Sequence, residues 1–146
     1  MRLTAVTAGL ARDERALAAH LRDLSARHPD DPEVRLLALD LADWSDHHAD
    51  ELAPWVDGAP PSPAPPVEPA APQDADPGLA LLADLRAVHA HARDVVLAWE
   101  LVGVTAQALH DDRLLAVQQR SHEDALRQVR WLVTTAKQAA PQTLVT

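Results

Sequence analysis

The first part of the chain carries apolar residues at helical spacing. Three-, four- and seven-residue intervals separate the members of one stripe: Val6, Leu10, Leu17, Leu21 and Leu24. Such a stripe predicts an amphipathic helix that buries one face. Pro29 predicts the end of this helix, because proline cannot continue the hydrogen-bonded backbone.

A second helix is predicted to begin within the sequence Asp-Asp-Pro-Glu at 30–33, with Pro32 at its first position. An Asp followed by proline favours a helix start, since the carboxylate accepts from the free amides of the first turn and Pro32 has no amide to leave unpaired. The stripe of this helix contains Val34, Leu37, Leu41, Trp44, His48, Leu52 and Trp55.

The third and fourth helices show the same signals. Asp-Pro-Gly at 76–78 predicts the start of the third, and His-Asp-Asp at 110–112 predicts a tight turn that caps the fourth. The third stripe is Leu81, Leu85, Val88, Ala92, Val95, Trp99, Val102, Ala106 and Leu109, with a parallel row of Leu82, His89, Val96 and Gly103. The fourth is Leu115, His122, Leu126, Val129 and Val133. The apolar face of the third helix is thus unusually wide.

Nine of the twelve prolines lie between Pro54 and Pro77. This composition predicts a linker over 54–77 that divides the chain into two helical hairpins, 1–53 and 78–146. Each hairpin has an apolar face that it cannot bury alone. We therefore expect one all-α domain over 1–146, a four-helix bundle. Whether the linker crosses the bundle end to end or bridges neighbouring ends stays open.

Composition narrows the function. A net charge of -9 disfavours nucleic acid and an anionic membrane surface as partners. The chain has no cysteine and only four glycines, which excludes thiolate chemistry and disfavours phosphate-binding loops and serine nucleophile elbows. We identify no catalytic or cofactor-binding residue, and the sequence favours a non-enzymatic function. The absence of a signal-like or membrane-length segment indicates a cytoplasmic location.

Four helices in two hairpins with a long central connection resemble the ferritin-like superfamily. The sequence RQVRWLVTTAKQAAPQTL at 127–144 is similar to the tail of small helical proteins grouped with this fold in actinobacteria. The resemblance implies a ferritin-like bundle. Metal-binding members hold two iron or manganese ions with an inward Glu on each of two helices and Glu-x-x-His on each of the other two.

The candidate metal ligands are Glu14, His48, Glu100 and His122. Glu14 shares the apolar face of the first helix, and His48 lies at a similar level on the second. Glu100 and His122 both lie about 11 residues from the turn at 110–112, so they share a level on the other hairpin. All four converge only if the linker crosses the bundle.

The motifs also depart from the family pattern. Ser45 and Gln119 stand three residues before His48 and His122, where the family has Glu. Because bridging carboxylates hold the two divalent ions, this site is poor in the required charge. Without a metal, the two histidines are core or boundary residues, and Glu14 forms a salt bridge with an arginine.

Two functions follow from this sequence. The leading hypothesis is a non-catalytic bundle that associates with itself or with a partner protein and needs no cofactor. The wide apolar face of the third helix and Trp55 at the linker edge motivate it. The alternative is a ferritin-like protein that binds iron or manganese and handles oxygen, peroxide or metal.

Overall fold

The computed structural model describes residues 2–56, 66–71 and 75–145. These residues form four α-helices and no β-strand: α1 Arg2–Arg27, α2 Pro32–Glu51, α3 Pro77–Ala108 and α4 Asp112–Leu144. A short 3-10 helix, Ala53–Trp55, follows α2. The prediction of an all-α chain with four helices is confirmed.

Three aspartates cap the helices as predicted. The carboxylates of Asp31, Asp76 and Asp111 each accept from backbone amides two or three residues later, at 2.9–3.2 Å. Pro32 and Pro77 occupy the first helical positions of α2 and α3. Each cap pairs a donor that the first turn of a helix leaves free.

The turn between α3 and α4 ends α3 with a left-handed residue. His110 has a φ of 53°, a conformation that favours glycine. Its amide donates to Gln107 O at 3.1 Å, and the Asp111 amide donates to Ala106 O at 2.9 Å. These two bonds form a Schellman motif, which pairs carbonyl groups at the end of the helix.

Helices α1 and α3 run antiparallel, side by side. Arg27 and His28 at the end of α1 bind Asp84 near the start of α3, whereas Glu14 in the middle of α1 binds Trp99. Within each hairpin the two helices are also antiparallel neighbours. It follows that α2 and α3 point in the same direction.

The remaining contacts place α2 and α3 at diagonal corners of the bundle. Gln128 of α4 bonds the carbonyl of Leu41, and Arg120 pairs with Glu51, so α2 and α4 are antiparallel neighbours. Among the described residues, the backbone of α2 does not come close to that of α3, nor the backbone of α1 to that of α4. The end of α2 and the start of α3 therefore lie at opposite ends of the bundle, and the chain connects them as a crossover.

Trp55 binds the end of α2 to the turn between α3 and α4. Its indole N–H donates to Asp111 at 2.9 Å, its carbonyl accepts from the Thr7 hydroxyl at 2.6 Å, and the guanidinium of Arg113 lies 5.9 Å from its ring. The amide of Leu114 and the indole of Trp55 together lower the pKa of Asp111. Trp55 is thus half-buried within the bundle and is not the free anchor that its position at the linker edge suggested.

All four helices contribute to one apolar core, centred on the fully buried Trp99. The predicted stripes of α1 to α3 largely match it, for example at Leu17, Leu41 and Val88. Three predicted stripe residues were wrong: Val6, Leu37 and Leu109 are exposed.

The predicted face of α4 was also wrong, by one position. Leu126 is exposed, and His122 lies half-buried at the edge of the bundle. The buried face is Leu114, Val117, Gln118, Ser121, Ala125, Gln128, Leu132 and Thr135. Half of this face is polar, so the apolar pattern of the neighbouring row misled the prediction.

The linker predicted over 54–77 lies partly outside the described residues, which omit 57–65 and 72–74. Of the described part, Pro54 and Trp55 belong to the 3-10 helix, and Pro77 is the first residue of α3. In the described ranges, no helix combines the length and apolarity needed to cross a membrane.

Candidate functional site

A buried ion pair between α1 and α2 lies in the middle of the bundle. His48 Nδ1 is 2.8 Å from Glu14 Oε2, and the two residues are 2 % and 0 % exposed. The sequence predicted both side chains on inward faces at the same level, and this contact confirms that placement. A buried charged group loses its hydration and is stable only where neighbouring polar groups replace it, so the residues around this pair determine whether both charges can be kept.

The other two helices complete a network. Trp99 Nε1 of α3 donates to Glu14 Oε2 at 3.0 Å, and Asp124 Oδ2 of α4 lies 3.0 Å from His48 Nε2. The indole is also edge-on to the imidazole, with ring centroids 6.3 Å apart. Each helix therefore supplies one side chain to this cluster, which we call the core network: Glu14, His48, Trp99 and Asp124.

The core network favours a protonated His48. Burial works against the charged ring, but hydrogen bonds and charge attraction from Glu14 and then Asp124 outweigh it, and the pKa of His48 is raised above its ordinary value. An ionised carboxylate can only accept, so two carboxylates at the two ring nitrogens require both nitrogens to carry hydrogen. The imidazolium supplies the positive charge that a metal ion would otherwise bring to these acids.

Three buried polar atoms near this level have no partner among the described residues: Glu14 Oε1, Ser121 Oγ and Gln128 Oε1. Gln128 Nε2, by contrast, donates to Ser45 Oγ and to the carbonyl of Leu41, both at 2.9 Å. Ser121 makes no hydrogen bond to the imidazole of His48, so the described site lacks the serine–base contact that nucleophilic catalysis needs.

The four candidate metal ligands form two separate pairs. Glu14 and His48 lie in the core, whereas Glu100 and His122 meet on the outside, with 3.2 Å between Glu100 Oε1 and His122 Nε2. Glu100 is half-exposed because Trp99, one residue earlier, takes the inward position on α3. The structure therefore brings the members of each pair together but does not join the pairs.

Both ring nitrogens of His48 are already bonded to carboxylates. A metal at this position would have to displace one of them. Within the described ranges, no group of three or more His, Asp or Glu side chains is arranged to hold an ion. Iron or manganese binding stays a prediction.

The three acids and the first histidine of the sequence SDHHADEL at 45–52 form surface ion pairs. Asp46 binds Arg22 at 2.6 Å and Asp50 binds Arg15 at 2.6 Å, both across the α1–α2 face. His47 pairs with Glu51 at 2.9 Å on α2.

An open groove lies between α2 and α4, toward the end of the bundle that holds the α1–α2 turn. It has a volume of about 400 Å³ and is lined by Leu37, Asp40, Leu41, Asp43, Trp44, Arg127 and Trp131. The core network does not contribute to its lining. The groove offers an apolar surface between the hairpins, and no sequence motif predicted it.

Sequence reasoning missed Trp99 and Asp124 as members of the site. Trp99 was placed on the core stripe without a polar role, although a buried indole N–H generally requires an acceptor. Asp124 was overlooked because the inward face of α4 was assigned one position away. Asp124 stands three residues after Ser121 and four before Gln128, so the correct inward face would have placed it at the edge of the core.

Comparison with known proteins does not assign the chain to a family. No protein family model, no curated protein and no solved structure matches the chain. The function has to be inferred from the chemistry of the described surfaces and of the core network.

Proposed function

We propose that the chain acts through self-association, with α3 of one copy packed against α3 of another. An outward apolar stripe on α3 carries this proposal: Leu97, Leu101 and Val104 are 51, 54 and 61 % exposed. Spacings of four and then three residues keep them on one face, as in a coiled-coil seam. The opposite face of α3 is already buried, so this second stripe has no use inside one bundle.

A second copy fits because the stripe is complementary to itself. An antiparallel pair with its two-fold axis near Leu101 would place Leu97 opposite the partner's Val104. By symmetry, Val104 would lie opposite the partner's Leu97. Val6 of α1, 50 % exposed, lies near the level of Val104 in the α1–α3 register and extends the apolar surface. Glu100 beside the stripe is held at the side by His122, with 3.2 Å between Glu100 Oε1 and His122 Nε2.

The charge of the chain gives this proposal a distinctive signature. Each copy carries a net charge of -9, so two copies repel one another. Added salt screens this repulsion and leaves the apolar contact in place. Self-association should therefore strengthen with salt, the opposite of what an interface built on ion pairs would show.

Sedimentation velocity across a wide concentration range, at low and at physiological salt, tests the proposal. Leu101→Glu should keep the chain monomeric. Leu36→Glu is the matched control, because Leu36 is a leucine on α2 with 53 % exposure. A wild-type monomer under all conditions, or equal loss of association in both variants, would overturn the proposal.

A second candidate is a ferritin-like protein that binds iron or manganese and handles oxygen, peroxide or metal. The buried Glu14 and His48 support it, as does the single crossover between hairpins, a connection found in ferritin-like bundles. Untagged protein incubated anaerobically with Fe(II) or Mn(II), then desalted and measured by plasma mass spectrometry, tests it. Retained metal that His48→Ala abolishes and His47→Ala preserves would favour it; no retained iron or manganese would exclude it.

For either function we propose a cytoplasmic location.

A further inference from the structure

Two histidines from different hairpins meet in the groove between α1 and α3, outside the core network. His20 Nδ1 and His91 Nδ1 are 3.2 Å apart, with ring centroids separated by 5.5 Å and ring planes inclined at 44°. Both residues are half-buried and keep one side toward solvent. Neither takes part in the proposed self-association stripe.

At this distance the two nitrogens cannot both carry hydrogen, because an N–H needs a lone pair to accept it. One Nδ1 is therefore unprotonated already. Burial and then the neighbouring ring lower the pKa of His20, and burial lowers the pKa of His91 against the attraction of Asp13 and Asp94. Neutral imidazole is the form that coordinates metals.

We propose that His20 and His91 form a two-histidine site for a divalent transition ion of the zinc, copper and nickel class. Imidazole nitrogen suits these ions and not magnesium or calcium. The site differs from the ferritin-like centre in its residues and in its lack of a bridging carboxylate.

The distance between the two nitrogens matches this chemistry. Zinc bound tetrahedrally to two imidazoles at about 2.0–2.1 Å holds their nitrogens about 3.3 Å apart. The rings now point at each other almost head on, so each must tilt by about 40° to aim its lone pair at a shared ion, within the broad range of the histidine χ2 angle.

Water is expected to complete the coordination. No third His, Asp or Glu in the described ranges closes the ligand set. Asp13 and Asp94 lie within electrostatic reach of His91, and their carboxylates favour a cation in the groove. An ion bound here would link α1 to α3, and thus one hairpin to the other.

The test is a titration of untagged, metal-free protein with Zn(II), Cu(II) and Ni(II), followed by isothermal calorimetry. We expect one site per chain, tightest for Cu(II). His20→Gln and His91→Gln should each weaken binding at least tenfold. His122→Gln is the matched control, since His122 is another half-buried histidine beside a carboxylate and should leave binding unchanged.

Long-range proton–nitrogen spectra of the histidine rings give an independent readout. Zn(II) should move the Nδ1 resonances of His20 and His91 and leave those of His47 in place. Far-UV circular dichroism of each metal-free variant establishes that it is folded. Absence of a stoichiometric site in the wild type, or equal weakening in His122→Gln, would overturn the proposal.

Discussion

Replacing His48 by leucine tests the role of the core network. His48→Leu leaves the carboxylate of Glu14, fully buried, with the indole of Trp99 as its remaining hydrogen-bond donor. Removing one member of a buried ion pair costs about 3–5 kcal/mol, because the other charge stays uncompensated. For a chain of this size, that corresponds to a fall in Tm of roughly 6–20 °C.

The double variant Glu14→Leu/His48→Leu separates charge from packing. It removes both buried charges and leaves Asp124 at the surface, partly solvated. Apolar replacement of a whole buried ion pair is often neutral or stabilising. We therefore expect the double variant to recover most of the stability lost in His48→Leu, a strongly non-additive result.

Urea and thermal unfolding followed by far-UV circular dichroism measure these differences. His47→Leu is the control, since His47 is adjacent in sequence, largely exposed and paired with Glu51 at the surface. Exposed pairs contribute about 0–1 kcal/mol. The reasoning fails if His48→Leu costs no more than His47→Leu, or if the effects of the two core substitutions simply add.

Four further predictions concern pH and helix ends. Because the pKa of His48 is raised in the folded state, protonation of His48 stabilises the fold below the unfolded value of 6.5. This contribution is lost as the pH rises through the folded pKa. The unfolding free energy should therefore fall less toward alkaline pH in the double core variant than in wild type. The lowered pKa values of His20 and His91 act oppositely: the unfolded chain takes up protons first below pH 6.5, and His20→Gln/His91→Gln should flatten the loss of stability on acidification. His110→Gly should raise the unfolding free energy by about 0.5–1 kcal/mol, since relief of left-handed strain exceeds the entropy that glycine adds to the unfolded chain; a neutral or negative change in urea unfolding would contradict this. Asp31→Ala should cost about 1 kcal/mol through loss of the α2 cap, measured in the same way, with exposed Asp30→Ala as control.

Local signals in the sequence predicted the helices well. The aspartates and prolines that begin α2 and α3 act within one turn, so their effect does not depend on the rest of the fold. Apolar periodicity likewise placed the inward faces of α1, α2 and α3. It failed on α4, where Gln118, Ser121 and Gln128 face the core and Leu126 of the predicted row is exposed.

The site was harder to predict because it depends on which helices are neighbours. Glu14 and His48 belong to one hairpin, where a count from the turn sets their levels. A single step along α3 turns a side chain by about 100°, so Trp99 points into the core and the candidate ligand Glu100 does not. His20 and His91 are 71 residues apart, and their meeting follows from a crossover that the sequence left open.

The parallel direction of α2 and α3 sets a minimum length for the chain between them. The distance to be spanned between Trp55 and Pro77 is nearly the length of α3, about 48 Å at 1.5 Å per residue. A chain in extended polyproline geometry covers about 3.1 Å per residue and needs about 16 residues for this distance. The sequence provides 21, from Val56 to Asp76. Deleting many more residues than this surplus would prevent the second hairpin from packing on the first hairpin of the same chain. Two shortened chains would then have to exchange hairpins to bury their cores.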